Sequence, residues 1–169
     1  MALTRLSRIA GALVFASSVS CNTTSDLPGT ALGSFALTAV LSTNTCGDNL
    51  SPANPWKFDA DMSLSDNTLY FRPANEDAVS APLDSDRTAT CTTVVNSASA
   101  TNSTCTLSLK RIYTVQLDSA TAPKTSSGSL RFEYSALSSS TCYNELSANG
   151  GSYEDLPCAV EYLYTALKQ

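Results

Sequence analysis

Residues 56–65 carry the plainest alternation in the chain: Trp56, Phe58, Ala60, Met62 and Leu64 fall on one side, and Lys57, Asp59, Asp61, Ser63 and Ser65 on the other. A period of two with one charged face predicts an antiparallel strand that packs on a core by one side and meets water with the other. Asp66 and Asn67 follow as turn residues, and residues 69–72 return as the hairpin partner. Upstream, residues 34–42 set Phe35, Leu37, Ala39 and Leu41 against Ala36, Thr38, Val40 and Ser42. Downstream, residues 78–83 form a weaker strand that Pro82 pushes toward a sheet edge. Residues 88–95 are rich in β-branched side chains around Cys91.

Residues 105–117 are long for a single strand, and the adjacent charges Lys110 and Arg111 suggest a bulge or bend between Leu109 and Ile112. Leu130, Phe132 and Tyr134 alternate with Arg131 and Glu133 over residues 129–135, and Val160, Tyr162, Tyr164 and Ala166 share a face over residues 158–167. Residues 141–150 can hold one or two helical turns stopped by Gly150. About eight short strands, with no sustained amphipathic helix behind the leader and no fixed-period repeat, predict one all-β domain, an antiparallel β-sandwich or barrel.

Ahead of the strands, residues 1–20 have the layout of a helical export signal: Arg5 and Arg8, an apolar run over residues 9–16, then the small residues Ser17, Ser18 and Ser20 before Cys21. The run is too short for a permanent membrane helix, which needs about 20 apolar residues. Cleavage directly before Cys21 resembles the lipobox of bacterial lipoproteins, which implies a diacylglyceryl group on that cysteine and a membrane anchor through it. Asn22, in place of Asp, then implies the outer membrane. Plain secretory cleavage can instead be written after Ser18 or after Ser20. Residues 21–33, with Pro28, Gly29 and Gly33, read as the lipidation site and a flexible tether, and residues 34–169 as the β-domain.

The charge pattern narrows the partners. The chain is at -5, and losing Arg5 and Arg8 with the leader takes it to -7, which disfavours a nucleic-acid partner because a phosphate backbone needs clustered Lys and Arg. Six cysteines stand at positions 21, 46, 91, 105, 142 and 158, without a C-x-x-C pair and without any histidine, so disulfides are expected and a Cys/His metal site has no parts. Sequence proximity favours two local bridges, Cys91 to Cys105 and Cys142 to Cys158. Lipidation of Cys21 would leave five cysteines and one thiol unpaired within the chain.

Gly33-Ser34-Phe35, Asn44-Thr45-Cys46-Gly47, Pro55-Trp56 with Phe58, Leu69-Tyr70, Cys142, and Leu156-Pro157-Cys158 with Tyr162 together resemble predicted exported lipoproteins of the myxobacterial type. The resemblance spans most of the mature domain. It implies a cell-envelope compartment and a framework of Cys46, Cys105, Cys142 and Cys158 with Cys91 as the additional cysteine; it implies no mechanism. Gly33-Ser34-Phe35 also resembles the G-x-W opening of lipocalins, with Phe35 where Trp would stand.

Catalytic chemistry finds few parts. Ser-His-Asp, Cys-His and HExxH arrangements all need the missing histidine. Asp59 and Asp61 share a strand face and read as solvated carboxylates, while Glu76-Asp77 and Asp84-Ser85-Asp86 read as polar loops without EF-hand spacing. Lys57, Lys110, Lys124 and Lys168 lie in polar or edge contexts, unlike the buried lysine of a Ser/Lys dyad. Trp56, Tyr162 and Tyr164 are the candidate ligand aromatics, among a wider set of Tyr70, Phe71, Tyr143 and Tyr153, although inward strand positions more often form plain core. The expectation is a non-enzymatic envelope lipoprotein, acting in interaction or structure with a protein or glycan partner, without metal or cofactor. The alternative is a secreted binding module for carbohydrate or small apolar ligands.

Overall fold

The computed structural model describes residues 27–50, 53–98, 104–138 and 140–169; the leader, Cys21 and residues 22–26 lie outside them. Eight strands follow in chain order: β1 (Thr30–Asn44), β2 (Trp56–Ser65), β3 (Thr68–Pro73), β4 (Val79–Pro82), β5 (Thr88–Ala98), β6 (Thr106–Leu117), β7 (Thr125–Ala136) and β8 (Cys158–Lys168). They make one antiparallel sheet in the order β4-β3-β2-β1-β8-β7-β6-β5. Each strand thus lies beside its chain neighbours and β1 pairs with β8, the connectivity of an up-and-down barrel. The barrel is nearly closed. β4 and β5 lie side by side at the seam without a hydrogen-bonded ladder, fastened at one end where Asp84 N–H donates to Thr88 O at 2.9 Å.

Local sequence explains most of these elements. Asp66 and Asn67 adopt φ of 47° and 61°, the two positive values a tight hairpin between right-twisted strands requires, and short polar side chains tolerate them. β1 is long because it serves two partners, β2 along its first half and β8 along its second. Register shifts at Ala31/Gly33 and at Leu41/Thr43 let it curl round the barrel. The tether expected to reach residue 33 is therefore shorter: Thr30 and Ala31 already pair with Leu64 and Ser63.

Alternation fills the interior. Phe35, Leu37, Met62, Leu69, Phe71, Val115, Leu117 and Leu130 are fully buried, and Ala39, Ala60, Ala89, Tyr113, Tyr162, Tyr164 and Ala166 join them. Gly128 stands between Val115 and Tyr164 in the ladder, where an added Cβ would come within 1.8 Å of the Thr114 carbonyl oxygen and 3.1 Å of the Tyr164 ring. Removing that side chain makes room for the tyrosine.

Two expectations fail here. β6 pairs with β5 and β7 without any register shift, so the bulge expected at Lys110-Arg111 is absent. Strict alternation instead sends Lys110 outward to Glu133, at 3.3 Å, and Arg111 inward to Glu76, at 2.9 Å. The local disulfides are absent too: Cys46 bonds Cys158 and Cys105 bonds Cys142, leaving Cys91 as a buried free thiol. The topology gives the reason. The ends of β1 and β8 are neighbours, since Asn44 pairs with Val160, and the segment past β7 returns along the start of β6, where Thr141 N–H donates to Thr104 O at 3.1 Å. Cys91 instead sits mid-strand opposite Tyr113, pointing into the core.

Residues 141–150 do turn as expected, in two 3-10 turns, Tyr143–Glu145 and Ser147–Asn149, the second ended by Gly150 in the left-handed conformation. Two disulfides are the chemistry of an oxidising, exported environment. No helix among the described residues is long and apolar enough to cross a membrane.

Candidate functional site

In this up-and-down order β1, β3, β5 and β7 all end at one rim of the barrel, and the short turns after β2, β4 and β6 lie at the other. At the rim of long loops Leu50, Ala53, Trp56, Phe132, Tyr134, Val160 and Tyr162 line an open concavity of about 270 Å³. Larger hollows of about 490, 480 and 420 Å³ lie elsewhere: among the ends of β6, β7 and β8 with Arg87 and Asp118, around Lys110 and Glu133, and beside the start of β1 with Asp61 and Arg72. The rim concavity differs from them in its aromatic lining.

That lining is a connected set of rings. Trp56 lies 4.4 Å from Phe58, 6.0 Å from Phe132 and 5.6 Å from Tyr162, centroid to centroid. Phe132 and Tyr162 meet edge to face at 6.3 Å. Such tilted contacts fix ring orientation, each adding about 0.5–1.5 kcal/mol beyond burial. They need strands from opposite halves of the chain, which the β1–β8 pairing supplies: Trp56 and Tyr164 both stand opposite Ala39, on its two sides. Tyr153, in the loop over residues 137–157, packs its ring on Tyr134 at 5.3 Å and extends the aromatic rim.

Beside the rings stands a polar group at the β4/β5 seam. Glu76, from the loop between β3 and β4, accepts hydrogen bonds at Oε2 from Arg111 Nη1 and from Tyr113 Oη, both at 2.9 Å. Burial and then the Glu76 carboxylate push the Tyr113 hydroxyl well above the usual tyrosine value, which keeps it protonated and donating. Burial also raises Tyr134, Tyr153 and Tyr162, so the rim tyrosines are neutral hydrogen-bonding groups at physiological pH.

Of the three aromatics expected from sequence, Trp56 and Tyr162 meet in this concavity and Tyr164 does not. Its ring lies in the filled interior, with Oη 3.4 Å from Ser126 Oγ, both residues buried, so Tyr164 is core. Within the wider set, Phe71 is core and Tyr143 is exposed away from the ring cluster. Asp61 is tied to Arg72 at 2.6 Å, and Asp59 accepts from the Gln169 side chain. Asp84 Oδ1 accepts the backbone N–H groups of Asp86 and Thr88, which makes it a turn cap. No group of three or more His, Cys, Asp or Glu side chains that could hold a metal ion occurs among the described residues. Cys21 lies outside them.

Sequence reasoning passed over Glu76, Arg111, Phe132 and Tyr134 as site residues. One signal was available: Leu109, Arg111, Tyr113, Val115 and Leu117 share a parity that puts the arginine on the inner face. Searches against protein-family models, curated proteins and solved structures find no match to this chain.

Proposed function

We propose that the protein is an exported, non-enzymatic binding module of the cell envelope whose barrel rim takes a small ring-bearing ligand. The observation that carries this reading is the open concavity walled by Trp56, Phe132, Tyr134 and Tyr162 above an otherwise filled core. Ligand sites are concave, mostly apolar and set with a few polar groups, and the rim is concave and mostly apolar, with Tyr134 and Tyr162 in its lining. Filling of the interior argues against a deep calyx and limits the ligand to the rim. The lack of histidine in the chain, and the engagement of Asp61 and Asp84 in structural bonds, support binding over catalysis.

An anchor through Cys21 belongs to the same proposal, supported by the leader, by the resemblance to myxobacterial-type lipoproteins, and by the buried thiol of Cys91, which gives the odd cysteine a place in the core. Two measurements test the two halves. Trp56 is the sole tryptophan, so its emission, excited at 295 nm, reports on the concavity. Benzyl alcohol shifts it saturably in the wild type, and Phe132→Ala weakens that response; a response that never saturates, or that is unchanged in Phe132→Ala, removes the rim as a ligand site. Mass spectrometry of the membrane-extracted protein finds a diacylglyceryl group on an N-terminal Cys21, whereas an unmodified start at Cys21 or Val19 ends the anchor.

A further inference from the structure

Tyr162 is only 4% exposed, yet its hydroxyl has no hydrogen-bond partner among the described residues and is not sealed from solvent. Because the residue lines the rim concavity, that oxygen opens into the concavity. The other deeply buried tyrosine hydroxyls of the barrel meet protein oxygens, Tyr113 at Glu76 and Tyr164 at Ser126. Buried polar groups are nearly always paired in a folded chain, so one that opens into a concavity is free to meet a ligand. Tyr134 and Trp56 line the same concavity, and the Tyr134 hydroxyl and the Trp56 indole N–H are likewise unpaired among the described residues and open to solvent. Ionising Tyr134 would disfavour ionising Tyr162, so the two hydroxyls are neighbours.

We propose that the rim concavity takes a neutral sugar ring, a pyranose whose C–H face lies on the aromatic wall while its hydroxyls pair with Tyr134, Tyr162 and the Trp56 indole N–H. The inference rests on the rim being a ligand site and names the class of ligand. Several features favour this class over a plain aromatic ring or an acid. A tyrosine hydroxyl both donates and accepts, and an indole N–H only donates. Together they match a ligand that carries several hydroxyls round its edge, whereas a plain arene would leave all three unpaired. No lining residue carries a charge, so a carboxylate entering the concavity would lose water without gaining a cation. Trp56 is inclined at 51° to Phe132 and at 60° to Tyr162, and walls so tilted hold a puckered ring better than a flat one. A volume of about 270 Å³ lies just below the usual range of ligand pockets and suits one sugar unit. The open mouth lets the rest of a longer glycan run out into solvent.

The test titrates the exported, disulfide-bonded protein at pH 7 with the methyl β-glycosides of glucose, galactose, mannose and N-acetylglucosamine, and with toluene as a ring without hydroxyls. Trp56 emission is the readout. At least one glycoside shifts it saturably in the wild type, and toluene displaces that glycoside. The methyl glycoside of glucuronic acid binds no tighter than that of glucose, since no cation lines the concavity. Tyr162→Phe keeps the ring and loses the hydroxyl, so it weakens the glycoside about three- to ten-fold, the scale of one neutral hydrogen bond, and leaves toluene within about two-fold. Tyr134→Phe added to it weakens the glycoside further, and far-UV circular dichroism checks that both variants are folded. Saturable binding of toluene and of none of the four glycosides overturns the sugar assignment while leaving the ring site standing. Glycoside binding that is unchanged in the double variant, or that toluene does not displace, overturns it too. Failure of the glycosides, toluene and benzyl alcohol together overturns the ring site and this inference with it.

Discussion

Glu76 and Arg111 meet at 2.9 Å across the one junction of the barrel that has no hydrogen-bonded ladder. Glu76 belongs to the loop before β4 and Arg111 to β6, so the ion pair reaches past β5 and straps the seam from inside. Both side chains are less than a third exposed, at 28% and 29%, which makes the pair stronger than a surface contact and costly to break from one side. Glu76→Ala is expected to destabilise the fold by about 1–3 kcal/mol, because it strands the arginine charge and the Tyr113 hydroxyl together. Glu76→Gln keeps an acceptor and loses less. Urea unfolding of the three proteins checks the order, and equal midpoints for wild type and Glu76→Ala would show that the seam holds without its strap.

The two disulfides differ in the chain they enclose. Cys46–Cys158 spans 112 residues and Cys105–Cys142 spans 37, and in the chain-entropy account those closures contribute roughly 5 and 4 kcal/mol. Cys46→Ser with Cys158→Ser therefore lowers the melting temperature more than Cys105→Ser with Cys142→Ser. Differential scanning calorimetry of the two double variants decides it, and a larger loss from the shorter loop would mean that local packing outweighs chain entropy.

Cys91 is a thiol with little chemistry open to it. It is fully buried opposite Tyr113 on the inner face of β5, and burial pushes its pKa up to about 11. A protonated, inaccessible thiol neither attacks nor exchanges. Under native conditions at pH 8 iodoacetamide leaves Cys91 unlabelled, and in denaturant without reductant exactly one equivalent is taken up per chain lacking a free Cys21. Rapid native labelling at Cys91 would place the side chain outside the core.

The strands were legible in the sequence wherever one face is wet. Charges at Lys57, Asp59 and Asp61 leave a single register for Trp56–Ser65, and the observed β2 has those bounds. Legibility failed where a charge turns inward: the parity of Leu109 and Tyr113 puts Arg111 on the inner face, but the partner that accepts its charge there, Glu76, is 35 residues away. Disulfide partners failed for a related reason. Proximity along the chain favours Cys142 with Cys158, whereas the closure of β1 on β8 brings Cys46 to Cys158. The same closure decides which candidate aromatics share a site: Trp56 and Tyr162 meet at the rim, and Tyr164, two residues further along β8, is carried one layer down into the core. Each miss concerns a contact between distant strands, which local periodicity does not encode.

The buried hydroxyls and the thiol set how the fold responds to alkali. Burial raises Tyr113, Tyr134, Tyr153, Tyr162 and Tyr164 above the ordinary tyrosine value of 10.0, and Cys91 from 9.0 to about 11. These groups are neutral when protonated, so in the folded state they hold protons that the unfolded chain has already released. The unfolded state binds fewer protons in that window, and stability then falls with rising pH. The contribution is complete below pH 9, begins to shrink as the unfolded Cys91 and then the unfolded tyrosines ionise, and is lost as pH passes through the folded values. Urea midpoints measured from pH 7 to 11.5 stay level to about pH 9 and drop steeply above pH 10. Tyr164→Phe, which removes the hydroxyl that faces Ser126, flattens part of that drop. Phenolate absorbance at 295 nm supplies the independent check: in the folded protein most of it appears together with unfolding, and a gradual rise near pH 10 with the fold intact would mean that these tyrosines are open to solvent.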